Sequence, residues 1–219
     1  MRLECWYSDV EELMDPVRFS EGMKRLPFTE RRERFLRFRM EKDRALSLGA
    51  GLLLKKSLRE FGAVDLTLRE NEHGKPYLAR HEDIHFNLSH SGTIAVCAVS
   101  DCPVGVDTEQ PQQCREGVAR RFFTTDEVDY VRNREDRDKA FIKIWVRKES
   151  YLKLLGLGLS KAPESFSVLT GEGMAEGYRF YEKEAKGQQI CVCTMSPDAL
   201  EDISLRNVPC RSLCYSERI

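Results

Sequence analysis

The feature that most constrains this chain is an internal echo of itself. Phe28 and Thr29 open a charged stretch that reaches Asp43, Ala45 and then an apolar run; Phe123 and Thr124 open another that reaches Asp138, Ala140 and a second such run. Each pair stands 95 positions apart, and Arg37 with Arg132 and Arg39 with Arg134 keep that register without a gap. A shared register of this kind points to two copies of one plan, with a cleft between them. Each half reads as a helical charged segment, a longer amphipathic helix and then short alternating strands. The first long helix is predicted over 41–61, ended by Gly62. The second carries Phe141, Ile144, Trp145, Leu152 and Leu155 at helical spacing and ends at Gly156. Strands are predicted over about 64–69, 84–88, 93–99, 165–169, 177–184 and 189–195. The expected fold is α+β, a pseudo-dimer of two similar lobes, each a long helix packed on a small, mainly antiparallel sheet. The lobes are expected at 1–103 and 104–219, with the site in the cleft.

Composition removes several function classes. A formal net charge of -1 gives no global field for nucleic acid or an anionic membrane. No apolar run approaches the roughly 20 residues of a membrane span. The start MRLECWYSDVEELM lacks the basic and apolar regions of a signal peptide, so a cytoplasmic location is expected. The eight cysteines form no CxxC pair and the four histidines are not spaced with them as zinc ligands. Reduced, mostly buried thiols are the expectation. The patterns of P-loop kinases and dinucleotide-binding oxidoreductases are absent.

Chemistry concentrates in a few short segments. Over Val104–Gln110 the alternation of a strand sets Val104, Val106 and Thr108 on one face and Gly105, Asp107 and Glu109 on the other. Adjacent carboxylates repel unless a cation compensates them, and a hard ion such as magnesium takes oxygen ligands of this type. An exposed edge strand with two solvated acids has the same pattern. On the second long helix Trp145, Glu149 and Lys153 share one stripe, which offers a third acid and a phosphate-binding lysine, or a plain surface ion pair. Lys148 lies about 100° round the helix from Glu149 and points elsewhere. The turn Asn87–Gly92 clusters small donors around His90, and Gly74-Lys75-Pro76 holds a lysine in a tight turn; both suit a phosphate and both fit an ordinary loop. Glutamates interleave with Arg31, Arg32, Arg34, Arg37 and Arg39, as on a solvated helix face.

The order of these segments is more specific than any one of them. GKPYL (74–78), FNLSHSG (86–92), VGVDTE (104–109), FFTTDE (122–127) and WVRKESYLKLLGLGL (145–159) follow one another in a succession that resembles the Sfp-type phosphopantetheinyl transferases, over residues from about 28 to 168. The resemblance implies a two-lobed pseudo-dimer that moves 4′-phosphopantetheine from coenzyme A to a serine of an apo acyl, polyketide or peptidyl carrier protein. It implies a magnesium ion with Asp107 and Glu149 as principal ligands and Glu109 as a third. Ser89 and His90 would contact the coenzyme A phosphates, Gly74, Lys75 and Pro76 would line the nucleotide, and Lys153 would stand beside the pyrophosphate. Glu149 would take the serine proton, Glu127 would lie near the metal cleft, and one of Arg31, Arg34 and Arg44 would meet the 3′-phosphate. Arg115, Arg120 and Arg121 beside Phe122 and Phe123 would dock the acidic helix of a carrier. Thr108, Ser150, Leu154 and Leu157 depart from the family's usual residues without touching the acids. Fusion of two lobes implies a monomer. A magnesium-dependent coenzyme A or nucleotide pyrophosphatase and a silent coenzyme A-binding protein are the alternatives.

Overall fold

The structure, a computed structural model, describes residues 1–196 and 200–214, apart from the side chains of Glu30, Arg34, Phe35 and Leu159. The chain begins with β1 (Leu3–Asp9), α1 (Pro16–Arg25), α2 (Thr29–Leu36) and the long α3 (Glu41–Phe61). The hairpin β2 (Leu68–Glu70) and β3 (Pro76–Leu78) follows, then β4 (His85–Ser91), β5 (Ile94–Ser100) and β6 (Val104–Glu109). The second half supplies α4 (Glu116–Phe122), α5 (Thr125–Arg132), the long α6 (Arg137–Leu155), β7 (Tyr178–Ala185), β8 (Gln188–Met195), β9 (Leu205–Asn207) and α7 (Cys210–Cys214).

Two sheets organise these elements, in the orders β4-β5-β1-β9 and β6-β8-β7, antiparallel except for the parallel β1–β9 pair. Helix α3 packs on the first and α6 on the second. The repeat holds for the helices. α2 and α5 begin at 29 and 125, and α3 and α6 at 41 and 137, an offset of 96 in both cases. Both long helices end on a left-handed glycine, Gly62 at φ 113° and Gly156 at φ 64°, a conformation that glycine adopts without a Cβ penalty.

Three differences from the sequence reading stand out. β1 was not among the predicted strands, although it lies at the centre of the first sheet. Residues 165–169 form no strand; a short 3-10 turn over Pro163–Ser165 precedes a loop there. The boundary expected at 104–219 does not hold at its far end, because β9 returns to pair with β1. Val208, Cys210, Leu213 and Cys214 are buried in the same apolar cluster as Trp6, Leu48 and Leu52. The tail closes the first lobe because it carries that lobe's missing apolar surface. All eight cysteines are free, six of them buried. Among the described residues no helix is long and apolar enough to cross a membrane.

Candidate active site in the interlobe cleft

The two sheets meet edge to edge at β4 and β6, and no backbone ladder joins them. Side chains of β4 replace it. Asn87 Oδ1 accepts from Val106 N–H at 2.9 Å, Ser89 Oγ from Thr108 N–H at 3.3 Å, and Ser91 Oγ from Gln110 N–H at 3.3 Å. The strand period of two makes this possible, since 87, 89 and 91 point one way and meet every second amide of β6. The same contacts fix the acids: Ser89 Oγ donates to Asp107 Oδ1 at 2.8 Å and Ser91 Oγ to Glu109 Oε2 at 3.0 Å.

Helix α6 supplies the other wall. A Cβ on Gly105 would come within 2.0 Å of the Ser150 carbonyl and 2.4 Å of the Leu154 nitrogen, so only glycine lets α6 lie this close to β6. That approach carries Lys153 to Asp107 Oδ1 at 2.6 Å and to Ser89 Oγ at 3.0 Å. A cavity of about 770 Å³ opens above, lined by Asp107, Glu109, Glu149 and Lys153 from the second lobe and by Ser89, His90, Pro76 and Arg31 from the first.

Electrostatics single out the three acids. Burial raises the Glu149 carboxyl above its ordinary value, with Asp107 and then Glu109 adding to it while Lys153 pulls it back. Burial and Asp107 likewise raise Glu109, opposed by hydrogen bonds from Ser91 and Trp145 and by Lys153. Asp107 is almost fully buried, and its Oδ2 has no hydrogen-bond partner among the described residues. A buried carboxylate oxygen left unpaired beside two carboxyls that resist ionisation is a donor set that suits a hard divalent cation. The described residues do not gather three such ligands around one point; Lys153 is the countercharge on Asp107. His90 also faces the cavity, its basicity lowered by desolvation and then by Lys153.

Other predicted residues lie elsewhere. Glu127 is not in the cleft: it is wholly buried, capping α5 through Thr124 N–H and pairing with Lys148 at 2.8 Å. Lys75 does not reach the cavity; its ammonium donates to the carbonyls of Leu154 at 2.9 Å and Val104 at 3.3 Å. Gly74 forms the turn before it at φ 80°, and Pro76 does line the cavity. Arg44 donates to Phe38 O at 2.7 Å, whereas Arg31 lines the cavity and the Arg34 side chain falls outside the described residues. Phe123 is buried against Phe141 and unavailable for docking, while Phe122 is half-buried, edge-on to Trp145. Asn87 and Ser91 were legible only as polar turn residues; their spacing of two opposite β6 was the signal.

Comparison with known proteins points one way. Residues 103–195 match the family model of the 4′-phosphopantetheinyl transferase superfamily, and residues 16–102 match that of the 4′-phosphopantetheinyl transferase N-terminal region. The chain is 30% identical over 198 residues to the 4′-phosphopantetheinyl transferase gsp of Aneurinibacillus migulanus, covering 84% of this chain and 83% of that one. It is 31% identical over 193 residues to a 4′-phosphopantetheinyl transferase of Bacillus subtilis, covering 81% and 86%. To the 4′-phosphopantetheinyl transferase Sfp of Bacillus subtilis (strain 168) it is 30% identical over 192 residues, covering 80% and 85%.

Proposed function

The chain belongs to the 4′-phosphopantetheinyl transferase superfamily, and from that premise we propose how its own residues carry the transfer of phosphopantetheine from coenzyme A to a carrier protein. The observation that supports the assignment of roles is Asp107, fixed on one oxygen by Ser89 and Lys153 and unpartnered on the other, at the floor of a cavity bordered by two more acids.

In this reading Asp107, Glu109 and Glu149 would hold a magnesium ion, which when bound would neutralise charge on the diphosphate. Lys153 and His90 face the phosphates, Ser89 orients both Asp107 and Lys153, and Pro76 and Arg31 border the nucleotide end. The oxygen of the carrier serine bonds to the β-phosphorus of coenzyme A. The bond from that phosphorus to the bridging oxygen breaks, and 3′,5′-ADP leaves with the electron pair. Glu149 receives the serine proton directly or through water, on an oxygen that the ion leaves free. The lobes divide near residue 103, apart from the returning tail, and the enzyme acts as a cytoplasmic monomer.

Intact-mass measurement of an apo carrier incubated with this chain, coenzyme A and magnesium tests the reading. A gain of one phosphopantetheine, lost with chelator and with the carrier serine replaced by alanine, is expected. Splitting of coenzyme A with the carrier unchanged would overturn it in favour of a pyrophosphatase.

A further inference from the structure

Helix α6 carries Glu149 and Lys153, yet its C-terminal end is held by the other lobe. The last carbonyls of any helix lack intrahelical partners. Here Gly156 N–H caps Leu152 O, while two of the remaining carbonyls are met from the turn between β2 and β3. Lys75 Nζ donates to Leu154 O at 2.9 Å and Asn71 Nδ2 to Gly156 O at 3.0 Å. Asn71 uses its other end to build that turn, its Oδ1 accepting from His73 N–H at 3.0 Å and Lys75 N–H at 2.8 Å. The fit is close. A Cβ on Gly156 would stand 2.6 Å from Lys75 Cδ and 3.5 Å from Asn71 Nδ2. An ammonium at this end also complements the negative pole of the helix.

The same hairpin forms one wall of the cavity, through Leu68, Glu70 and Pro76. We propose that the β2–β3 turn is a positioning latch, in which Lys75 and Asn71 clamp the end of α6 and so set Glu149 and Lys153 relative to the wall that meets the nucleotide. The inference rests on the transferase reading above and deepens it. Lys75 is a positioning residue, since its ammonium is engaged by the carbonyls of Leu154 and Val104 and does not line the cavity. Lys153 directly precedes Leu154, so a shift of the clamped carbonyl is passed on to the lysine that holds Asp107.

Steady-state transfer to an apo carrier, with the thermal midpoint measured alongside, tests the latch in Lys75→Met, Lys75→Arg and Asn71→Ala. Displacements of about 1 Å at a distance from the chemistry cost up to about 100-fold in rate. Lys75→Met is expected to lower kcat by about 10- to 100-fold. KM for coenzyme A and the midpoint should stay near those of the wild type. Lys75→Arg should recover most of the loss because a guanidinium donates to the same carbonyls, and Asn71→Ala should show a smaller loss of the same kind. A rise in KM at constant kcat would make Lys75 a coenzyme A ligand and overturn the latch. Unchanged kcat in both Lys75→Met and Asn71→Ala would do so too. If Lys75→Met fails to fold, the exposed Asn71 carries the test. Wild-type loading in parallel separates the claims: equal rates in wild type and variants sink the latch alone, and no loading by the wild type sinks the reaction with it.

Discussion

Lys148 and Lys153 lie five positions apart on α6, and each meets a carboxylate at short range, 2.8 Å to Glu127 and 2.6 Å to Asp107. Their surroundings differ. The Lys148 and Glu127 side chains are 2% and 0% exposed, and every strong group of the pair is used. Lys148 also donates to Pro163 O at 2.8 Å and Phe166 O at 2.6 Å, while Glu127 accepts from Val168 N–H at 2.7 Å and Thr124 N–H at 2.8 Å. The Lys153 and Asp107 side chains are 30% and 5% exposed, and Asp107 keeps one oxygen without a partner. A saturated pair in a closed core holds structure together, here α5, α6 and the loop at 163–168. An unsaturated pair at the floor of a cavity has capacity left for a ligand. Sequence distance does not separate the two pairs; burial and hydrogen-bond saturation do.

The largest effect that would test this contrast is on stability. Removing one partner of a buried pair strands the other charge and costs about 3–5 kcal/mol, a large share of the roughly 5–15 kcal/mol of a typical domain. Lys148→Met and Glu127→Gln are each expected to lower the unfolding free energy measured in urea by that amount, while the folded fraction keeps its turnover. The double variant Glu127→Leu with Lys148→Met should stand closer to wild type than either single change. A selective loss of kcat in Glu127→Gln at unchanged stability would return Glu127 to the chemistry and break the comparison.

Asp107→Asn probes the other pair. Its expected signature is the reverse, transfer reduced by about 10²–10³-fold, as when a preorganised electrostatic group is removed, with the melting transition near that of the wild type. Normal turnover in this variant would remove Asp107 from the site.

A third lysine sharpens the distinction, because Lys75 is half-buried and its ammonium is met by carbonyls rather than by a carboxylate among the described residues. Burial lowers its basicity to about 8, with Cys193 on β8 acting weakly the other way, and His85 on β4 is the other titratable group facing it. An unfolded lysine titrates near 10.4. Between about pH 8 and 10 the unfolded chain therefore binds more protons at this position, and Lys75 contributes stability that rises with pH across that window. Urea unfolding at pH 7.5 and 9.5 should show wild type gaining on Lys75→Met as pH rises. A constant difference would mean that the ammonium is not desolvated as its position implies.

Much of this was legible in the sequence because it depends on periodicity. The alternation of 104–109 put Asp107 and Glu109 on one face, the helical stripe brought Glu149 and Lys153 to them, and Gly62 and Gly156 marked the helix ends that the structure shows. The helical stripe also predicts that Lys148 points away from these acids, and it pairs instead with Glu127. What was not legible depends on partners far along the chain. Glu127 and Lys75 stand in motifs whose order is shared with the family, but which carbonyl or carboxylate faces each is set by how the lobes pack. The return of β9 to β1 is of the same kind, a pairing between residues about 200 positions apart that no local pattern encodes.

The smallest test asks whether the β4 side chains tune the acids or merely glue the lobes. Ser91 Oγ donates to Glu109 at 3.0 Å and accepts from Gln110 N–H at 3.3 Å. Ser91→Ala removes the hydroxyl; the Gln110 amide, at an exposed position, can turn to water, so the loss falls mainly on Glu109. A single hydrogen bond of this type contributes about 0.5–1.5 kcal/mol, which corresponds to roughly 2- to 10-fold in an equilibrium constant. Because Ser91 is among the groups that hold the Glu109 carboxyl down against burial and Asp107, its removal pushes that carboxyl further up and weakens it as an anionic ligand. The magnesium concentration giving half-maximal transfer should therefore rise by that factor in Ser91→Ala, with little change in the melting transition, and Ser91→Thr, which keeps the hydroxyl, should restore it. If the magnesium dependence holds constant while the midpoint falls, the row of side chains along β4 belongs with Lys148 and Glu127 as structure, and Asp107 alone remains on the other side of the comparison.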